Sequence, residues 1–236
     1  MDRDQWLDLL GLTPDEVPQL LVLEGTWWRQ KALEARLPLL TEVRETGMPD
    51  LWWGRHHGVA VAYCPAFGAP RDVEPVHVLG VCGTPVAVQI GSCGGLQPQV
   101  RTGDVVISSA ATIGEGASQH YGGVGASYAD AGLVTRAAAA FGDVPVHVGS
   151  TVTTDALLAQ PDELVAKWSA AGHLGVDLET SAVLSAATAH GVRAASLLFV
   201  WDELPGRSWT DPFSDQERAA QERANALTYE VALSLL

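Results

Sequence analysis

Short apolar runs alternate with helical patterns along most of the chain. Runs rich in Val, Leu, Ile and Ala lie at 19–23, 59–63, 86–91, 104–109, 147–150, 174–178 and 194–200, each bounded by turn residues. They predict strands, and 86–91 and 194–200 suit buried central ones. Between them the spacing predicts helices. Thr26 caps a helix to about Val43, with Leu33, Leu37 and Leu40 on one face and a kink or stop at Pro38. A second helix covers 71–82, with Pro75 in its first turn. A third, 129–141, holds four consecutive alanines, and a fourth begins at Pro161 and ends near Gly172. Residues 179–190 form a small-residue helix stopped by Gly191. Ser214-Asp-Gln-Glu217 is a capping-box signature that starts a final helix to the C-terminus. Residues 1–17 are acidic, with a turn or short helix at Pro14, and 113–128 reads as a long loop. Strands alternating with helices predict one α/β domain with a largely parallel or mixed sheet.

Composition narrows the class. The chain has 236 residues, 47% hydrophobic and 18% charged, ordinary for a globular protein with a substantial core. No apolar run reaches the ~18 residues of a membrane helix. The first ten residues, MDRDQWLDLL, carry acids where a secretory leader needs a basic and then an apolar stretch. Cys64, Cys82 and Cys93 are an odd number without metal spacing, which fits a reduced, cytoplasmic protein. A net charge of −14 argues against nucleic acid or an anionic membrane as partner. It leaves room for a small ligand, which senses only a local pocket.

Candidate chemistry gathers where strands end. Val86–Ile90 runs into Gly91-Ser92-Cys93-Gly94-Gly95, a glycine-rich exit turn whose backbone can approach a ligand closely. In open α/β sheets ligands bind beyond the carboxyl ends of strands. Glu179, after Val176-Asp-Leu, either favours a helix N-terminus or accepts bonds from two sugar hydroxyls. Asp202, at the exit of 196–201, is either a turn residue or an acid raised by desolvation that protonates a leaving group. Arg29 and Arg44 stand among only 14 basic residues and are either anion ligands or solvated. His120 and Tyr121 are candidate substrate contacts in the 113–128 loop. His56-His57 reads as a hairpin turn, and no zinc pattern, dinucleotide fingerprint or P-loop is present.

Five segments, in order, resemble the nucleoside phosphorylase superfamily of purine nucleoside phosphorylases, uridine phosphorylases and nucleosidases. They are Leu23-Glu-Gly-Thr-Trp-Trp-Arg29, Gln89-Ile-Gly-Ser-Cys-Gly-Gly95, Glu115-Gly-Ala-Ser-Gln-His-Tyr121, Val176-Asp-Leu-Glu-Thr-Ser-Ala182 and Val200-Trp-Asp202. The similarity runs from about residue 9 to the C-terminus. It implies a single-domain, three-layer fold over 1–236, a central mixed β-sheet flanked by helices. It implies cleavage of the N-glycosidic bond of a nucleoside, with inorganic phosphate as co-substrate if a phosphorylase, no other cofactor and no metal. It also implies a homo-oligomer, dimer or hexamer. Gly25, Arg29, Arg44, Gln89 and Ser92 would surround phosphate. Cys93, Gly94, His120, Leu157, Leu178, Glu179 and Trp201 would contact substrate, Glu179 gripping the ribose hydroxyls. Asp202 would protonate the purine, assisted by Arg218.

The sequence departs from that family pattern at telling places. Gln89 stands where the family has a phosphate-binding arginine, and Thr26-Trp27 replaces an Asp-Pro. Leu9 replaces a histidine that meets the 5′-hydroxyl, which suits a 5′-modified sugar. Trp201 replaces a small residue beside the acid. The Gln-x-Arg pair that reads uracil is absent from 155–163, so a purine-type base is expected. Arg29 favours phosphorolysis. Gln89 favours a nucleosidase with Glu24 as base. A catalytically silent nucleoside-binding protein is the third expectation.

Overall fold

The computed structural model describes residues 1–204, 206–207 and 210–236. Its strands are β1 (Leu20–Gly25), β2 (Thr41–Glu45), β3 (Trp52–His56), β4 (Val59–Ala66), β5 (Val86–Gly95), β6 (Val105–Gly114), β7 (Ala126–Tyr128), β8 (Val146–Thr154), β9 (Gly175–Asp177) and β10 (Arg193–Glu203). Its helices are α1 (Arg3–Leu10), α2 (Arg29–Arg36), α3 (Ala69–Cys82), α4 (Ala131–Ala140), α5 (Asp162–Ala170), α6 (Thr180–Ala189) and α7 (Asp215–Ser234). All ten strands join one mixed sheet.

β5 is its centre. It pairs in parallel with β1 on one edge, up to Gly25 opposite Gly91, and with β10 on the other, up to Glu203 opposite Gly95. Where β1 ends, β9 takes over the same edge, antiparallel, with Val176 opposite Gly94. β10 pairs with β6, β6 with β8 and β8 with β9, so five strands close a ring. β4, β3 and β2 extend the sheet beyond β1. The parting of β1 from β9 opens a crevice at the carboxyl half of β5, where an open α/β sheet places its ligands.

Strand periodicity sends alternate side chains to opposite layers. Leu21, Leu23 and Ala87 pack on the side of α1, α3 and α6, while Leu20, Val22, Val88 and Ile90 pack on the side of α4 and α7. Helices on both faces bury both sides of β1 and β5, so those strands read as continuous apolar runs.

Several sequence expectations are corrected. Gly91–Gly95 is strand, because β10 and β9 supply ladder partners on both edges. The helix expected over 26–43 stops at Arg36, and Trp28, not Thr26, stands at its cap. A 3-10 turn follows at 37–39, holding Pro38, and 41–45 is β2. Pro75 lies in the second turn of α3 rather than its first. The 113–128 segment contains the end of β6, a 3-10 turn over 117–121 and β7. The capping box of α7 forms as read, whereas the hairpin turn expected at His56-His57 falls one residue later, at His57-Gly58, because His56 still pairs with Val59 as the last residue of β3.

Candidate functional site

A cavity of about 400 Å³ opens where β1, β5 and β10 end and α6 begins. Of the acids that line it, Glu179 and Asp202 each lie against a strand-end glycine. A Cβ on Gly25 would lie 2.8 Å from the Glu179 carboxyl, and one on Gly94 would lie 3.2 Å from Asp202 Oδ1. Any side chain at Gly25 therefore displaces the carboxylate.

Glu179 is 4% exposed and accepts a 2.8 Å bond from the Gly68 N–H. Burial, then the charges of Asp72 and Asp177, push its carboxyl well up from the usual range. Asp177 is anchored differently. It accepts bonds from the N–H groups of Glu179 (3.2 Å) and Thr180 (2.7 Å) and from the hydroxyls of Thr153 (2.7 Å) and Thr180 (2.5 Å). These donors tie β8 and β9 to the start of α6 and fix the turn that aims Glu179 inward.

Asp202 is placed by a bulge. Val200 pairs with Cys93 and Asp202 with Gly94, so Trp201 is the extra residue. A bulge re-aims side chains, and both Trp201 and Asp202 line the cavity. Gln221 of α7 steadies the bulge by donating to the Trp201 carbonyl at 2.6 Å. Burial pushes the Asp202 carboxyl up to about 7, so the group can hold a proton near neutrality and give it away.

The sequence-predicted residues divide. Gly25, Ser92, Cys93, Gly94, Leu157, Leu178, Glu179, Trp201 and Asp202 line this cavity. Gln89, Arg29, Arg44, His120 and Arg218 do not. Gln89 is fully buried and shares the side-chain parity of Ala87, which turns it toward α6. There its carbonyl accepts from the Ser196 hydroxyl and lies 3.1 Å from Thr180 Oγ1. Arg29 pairs with Asp50 on the surface. Arg44 pairs with Glu16 at 2.6 Å and stacks on Trp53. Arg218 binds Asp215 and the Phe213 carbonyl. His120 is exposed beside a neighbouring opening that shares Leu178 with the cavity. Leu9 is exposed on α1, outside the lining.

Three features escaped the sequence reading. Arg36 of α2 is 4% exposed and grips the Glu24 carboxylate with two nitrogens, at 2.9 and 3.1 Å. Tyr63 donates to the same carboxylate at 2.7 Å. Glu24 is thus a fixed, neutralised anion in the cavity wall. The second feature is Arg207, the cation in the lining among the described residues, held by Glu217. The third is Asp72 in the first turn of α3. It is fully buried, and neither carboxyl oxygen has a hydrogen-bond partner among the described residues. A carboxylate with no donors takes a proton more readily than Asp177, which has four, since buried like charges cannot all ionise. No signal in the sequence distinguishes Asp72 from an ordinary acid in a helix's first turn.

Burial, then the charge of Asp177, push Asp72 up to about 8. A raised carboxyl stabilises the fold below its unfolded pKa, and that stability is lost as pH rises through the folded value. The Asp72→Asn variant is expected to lose less melting temperature than the parent between about pH 5 and pH 9. Parallel curves would show that Asp72 does not titrate in that window.

A sequence model of the phosphorylase superfamily matches residues 34–232. A guanosine phosphorylase of Halorubrum lacusprofundi is 29% identical over 174 residues, covering 72% of each chain. A DeoD-type purine nucleoside phosphorylase of Roseobacter denitrificans is 29% identical over 235 residues, 92% of this chain and 98% of its own. In structure, a uridine phosphorylase of Vibrio fischeri superposes with a TM-score of 0.79 at 21% identity, covering 94% of this chain and 92% of its own. No helix among the described residues is long and apolar enough to cross a membrane.

Proposed function

This chain belongs to the phosphorylase superfamily, and on that premise we propose that it cleaves the N-glycosidic bond of a purine-type nucleoside by phosphorolysis, residues 1–236 acting as one domain. The supporting observation is the convergence of Glu179 and Asp202 on one cavity. Glu179 accepts bonds from the ribose hydroxyls. As the bond to the base lengthens, its electron pair moves onto the base, and Asp202 supplies the proton that neutralises it. Phosphate adds to the sugar carbon left electron-poor, and the products are free base and ribose 1-phosphate. The reading needs phosphate as co-substrate and no organic cofactor, and it includes assembly as a homo-oligomer.

A purine-type base is favoured by an acid at Asp202 and by the lack of a Gln-x-Arg pair in 155–163. Relatives of both kinds, purine and uridine phosphorylases, make the comparison direct. Base release from inosine and guanosine is expected to outpace release from uridine. Faster cleavage of uridine would reverse the assignment of the base.

One observation favours hydrolysis as a second reading. The phosphate side of the cavity carries Gly25, Ser92, the ion-paired Glu24 and two tryptophans, with Arg29 and Gln89 turned away. An anion gains little there, whereas a water beside Glu24 has a fixed acceptor.

The Gly25 contact gives a further expectation. Gly25→Ala pushes the Glu179 carboxyl from its seat, and kcat/KM should fall by about tenfold to a hundredfold as the sugar grip loosens. An unchanged kcat/KM would remove Glu179 from sugar binding.

A further inference from the structure

Away from the cavity, three ring side chains from three elements meet where α3 packs on the end of α6. His77 comes from α3, His190 is the C-terminal cap of α6, and Tyr121 ends the 3-10 turn over 117–121. His77 Nδ1 lies 3.1 Å from His190 Nε2 and 3.5 Å from the Tyr121 hydroxyl. A glycine gives His190 its place against α3. Gly80 stands three residues after His77, and a Cβ there would lie 2.7 Å from the His190 Cβ. Glycine inside a helix weakens it, and here the lost side chain is the room that the imidazole uses.

The two imidazoles are poor partners for each other alone. Their ring centres are 4.5 Å apart with the planes at 75°, closer than rings joined end to end through a 3.1 Å contact can stand. They lean together rather than meet head-on, so a hydrogen bond between them is bent. The spacing suits a shared ion better. In a tetrahedral zinc site with bonds of about 2.0–2.1 Å, neighbouring ligand atoms stand about 3.3–3.4 Å apart. The 3.1 and 3.5 Å separations fall on either side of that edge.

The surroundings favour a cation. His190 stands at the C-terminal end of α6, where the helix dipole is negative. Burial, then the charge of His77, push its imidazole down from the usual value, toward the neutral form that ligates metals. Glu74 lies three residues before His77 on the same face of α3. Burial, then the charge of Glu74, push the Tyr121 phenol up, and a bound cation reverses both effects. Tyr121 and Glu74 line the opening beside the main cavity, which gives an ion a way in. Trp6 of α1 covers another side of His77, ring centres 6.5 Å apart.

We propose that His77, His190 and Tyr121 form a binding site for a divalent transition-metal ion of the zinc class, which ties α3 to α6. Imidazole ligands select zinc, nickel and copper over magnesium and calcium. The site stands outside the Glu179–Asp202 cavity, so the ion takes no part in bond cleavage and the proposal is independent of that reading. Its consequence for the cavity is mechanical. Gly68, which caps α3, binds Glu179, and Glu179 caps α6. A tie between the two helices stiffens the frame that holds this carboxylate.

The test titrates the untagged protein, stripped with a chelator, with Zn2+ by calorimetry. One ion per chain is expected, with a melting temperature that rises as zinc is added, and no uptake of Mg2+. His77→Gln and His190→Asn should each weaken zinc binding by about tenfold to a hundredfold or more. The double variant His56→Ala with His57→Ala, which removes the other adjacent histidine pair, should bind as the parent does. A reading on the parent alone guards against variants that misfold: zinc should shield His77 and His190 from acylation by diethyl pyrocarbonate, followed by mass spectrometry. No zinc uptake by the parent overturns the proposal. So does uptake that both single variants retain, uptake that the His56/His57 variant loses instead, or acylation of His77 and His190 that zinc leaves unchanged.

Discussion

Replacing Asp202 with asparagine is expected to lower kcat by about 10²–10⁴-fold, the usual worth of a positioned acid. KM should change little, because the amide keeps the shape of the carboxyl and its place opposite Gly94. The expectation follows from how the chain holds this group. The bulge at Trp201 turns Asp202 into the cavity, the Gln221 amide fixes that bulge from α7, and burial holds the carboxyl up at about 7. Below that value the acid carries the proton it must donate. As pH rises through about 7 it loses that proton, so kcat of the parent should fall on the alkaline side. The asparagine variant should lack that limb. A variant with parental kcat and an unchanged pH profile would show that the proton comes from elsewhere.

The second large effect concerns stability. Replacing Arg36 with leucine leaves the Glu24 carboxylate buried, with the Tyr63 hydroxyl as its remaining side-chain donor among the described residues. Breaking a buried ion pair from one side costs about 3–5 kcal/mol, because an uncompensated charge stays inside. Arg36 also donates to the Asn225 carbonyl and side chain and lies over the Tyr229 ring, so the loss loosens α2 from α7. Chemical unfolding of Arg36→Leu measures this. The double variant Glu24→Gln with Arg36→Leu should recover much of the loss, since no charge is then left unpaired. A single variant within about 1 kcal/mol of the parent would mean that water reaches Glu24 and solvates it.

These effects show what a linear sequence conveys about this protein. Apolar runs marked β1, β4, β5 and β10 because helices cover both faces of the central strands, and burial on both faces leaves an unbroken apolar signature. β2 was invisible for the opposite reason. Thr41–Glu45 is a polar edge segment made into strand by its partner β3. Glycines at 91–95 suggested a break, but ladder partners on both edges hold them extended.

The site shows the same division. Glu179 and Asp202 were legible because strand ends are where α/β sheets converge, and local sequence marks a strand end. The arginines were not. Arg29 and Arg36 lie seven positions apart on one helix, and tertiary context alone turns one to the surface and the other onto a buried carboxylate. Gln89 departs from the family pattern that the sequence resembles. Its parity along β5 places it among Thr180 and Ser196 rather than in the cavity.

The central claim is cleavage of a nucleoside's glycosidic bond by phosphate. Its most direct test is to incubate the protein with inosine in buffer with and without inorganic phosphate and to identify the sugar product. The account predicts hypoxanthine and ribose 1-phosphate, with release that requires phosphate. Hypoxanthine and free ribose at the same rate in phosphate-free buffer would contradict it and assign the step to water beside Glu24.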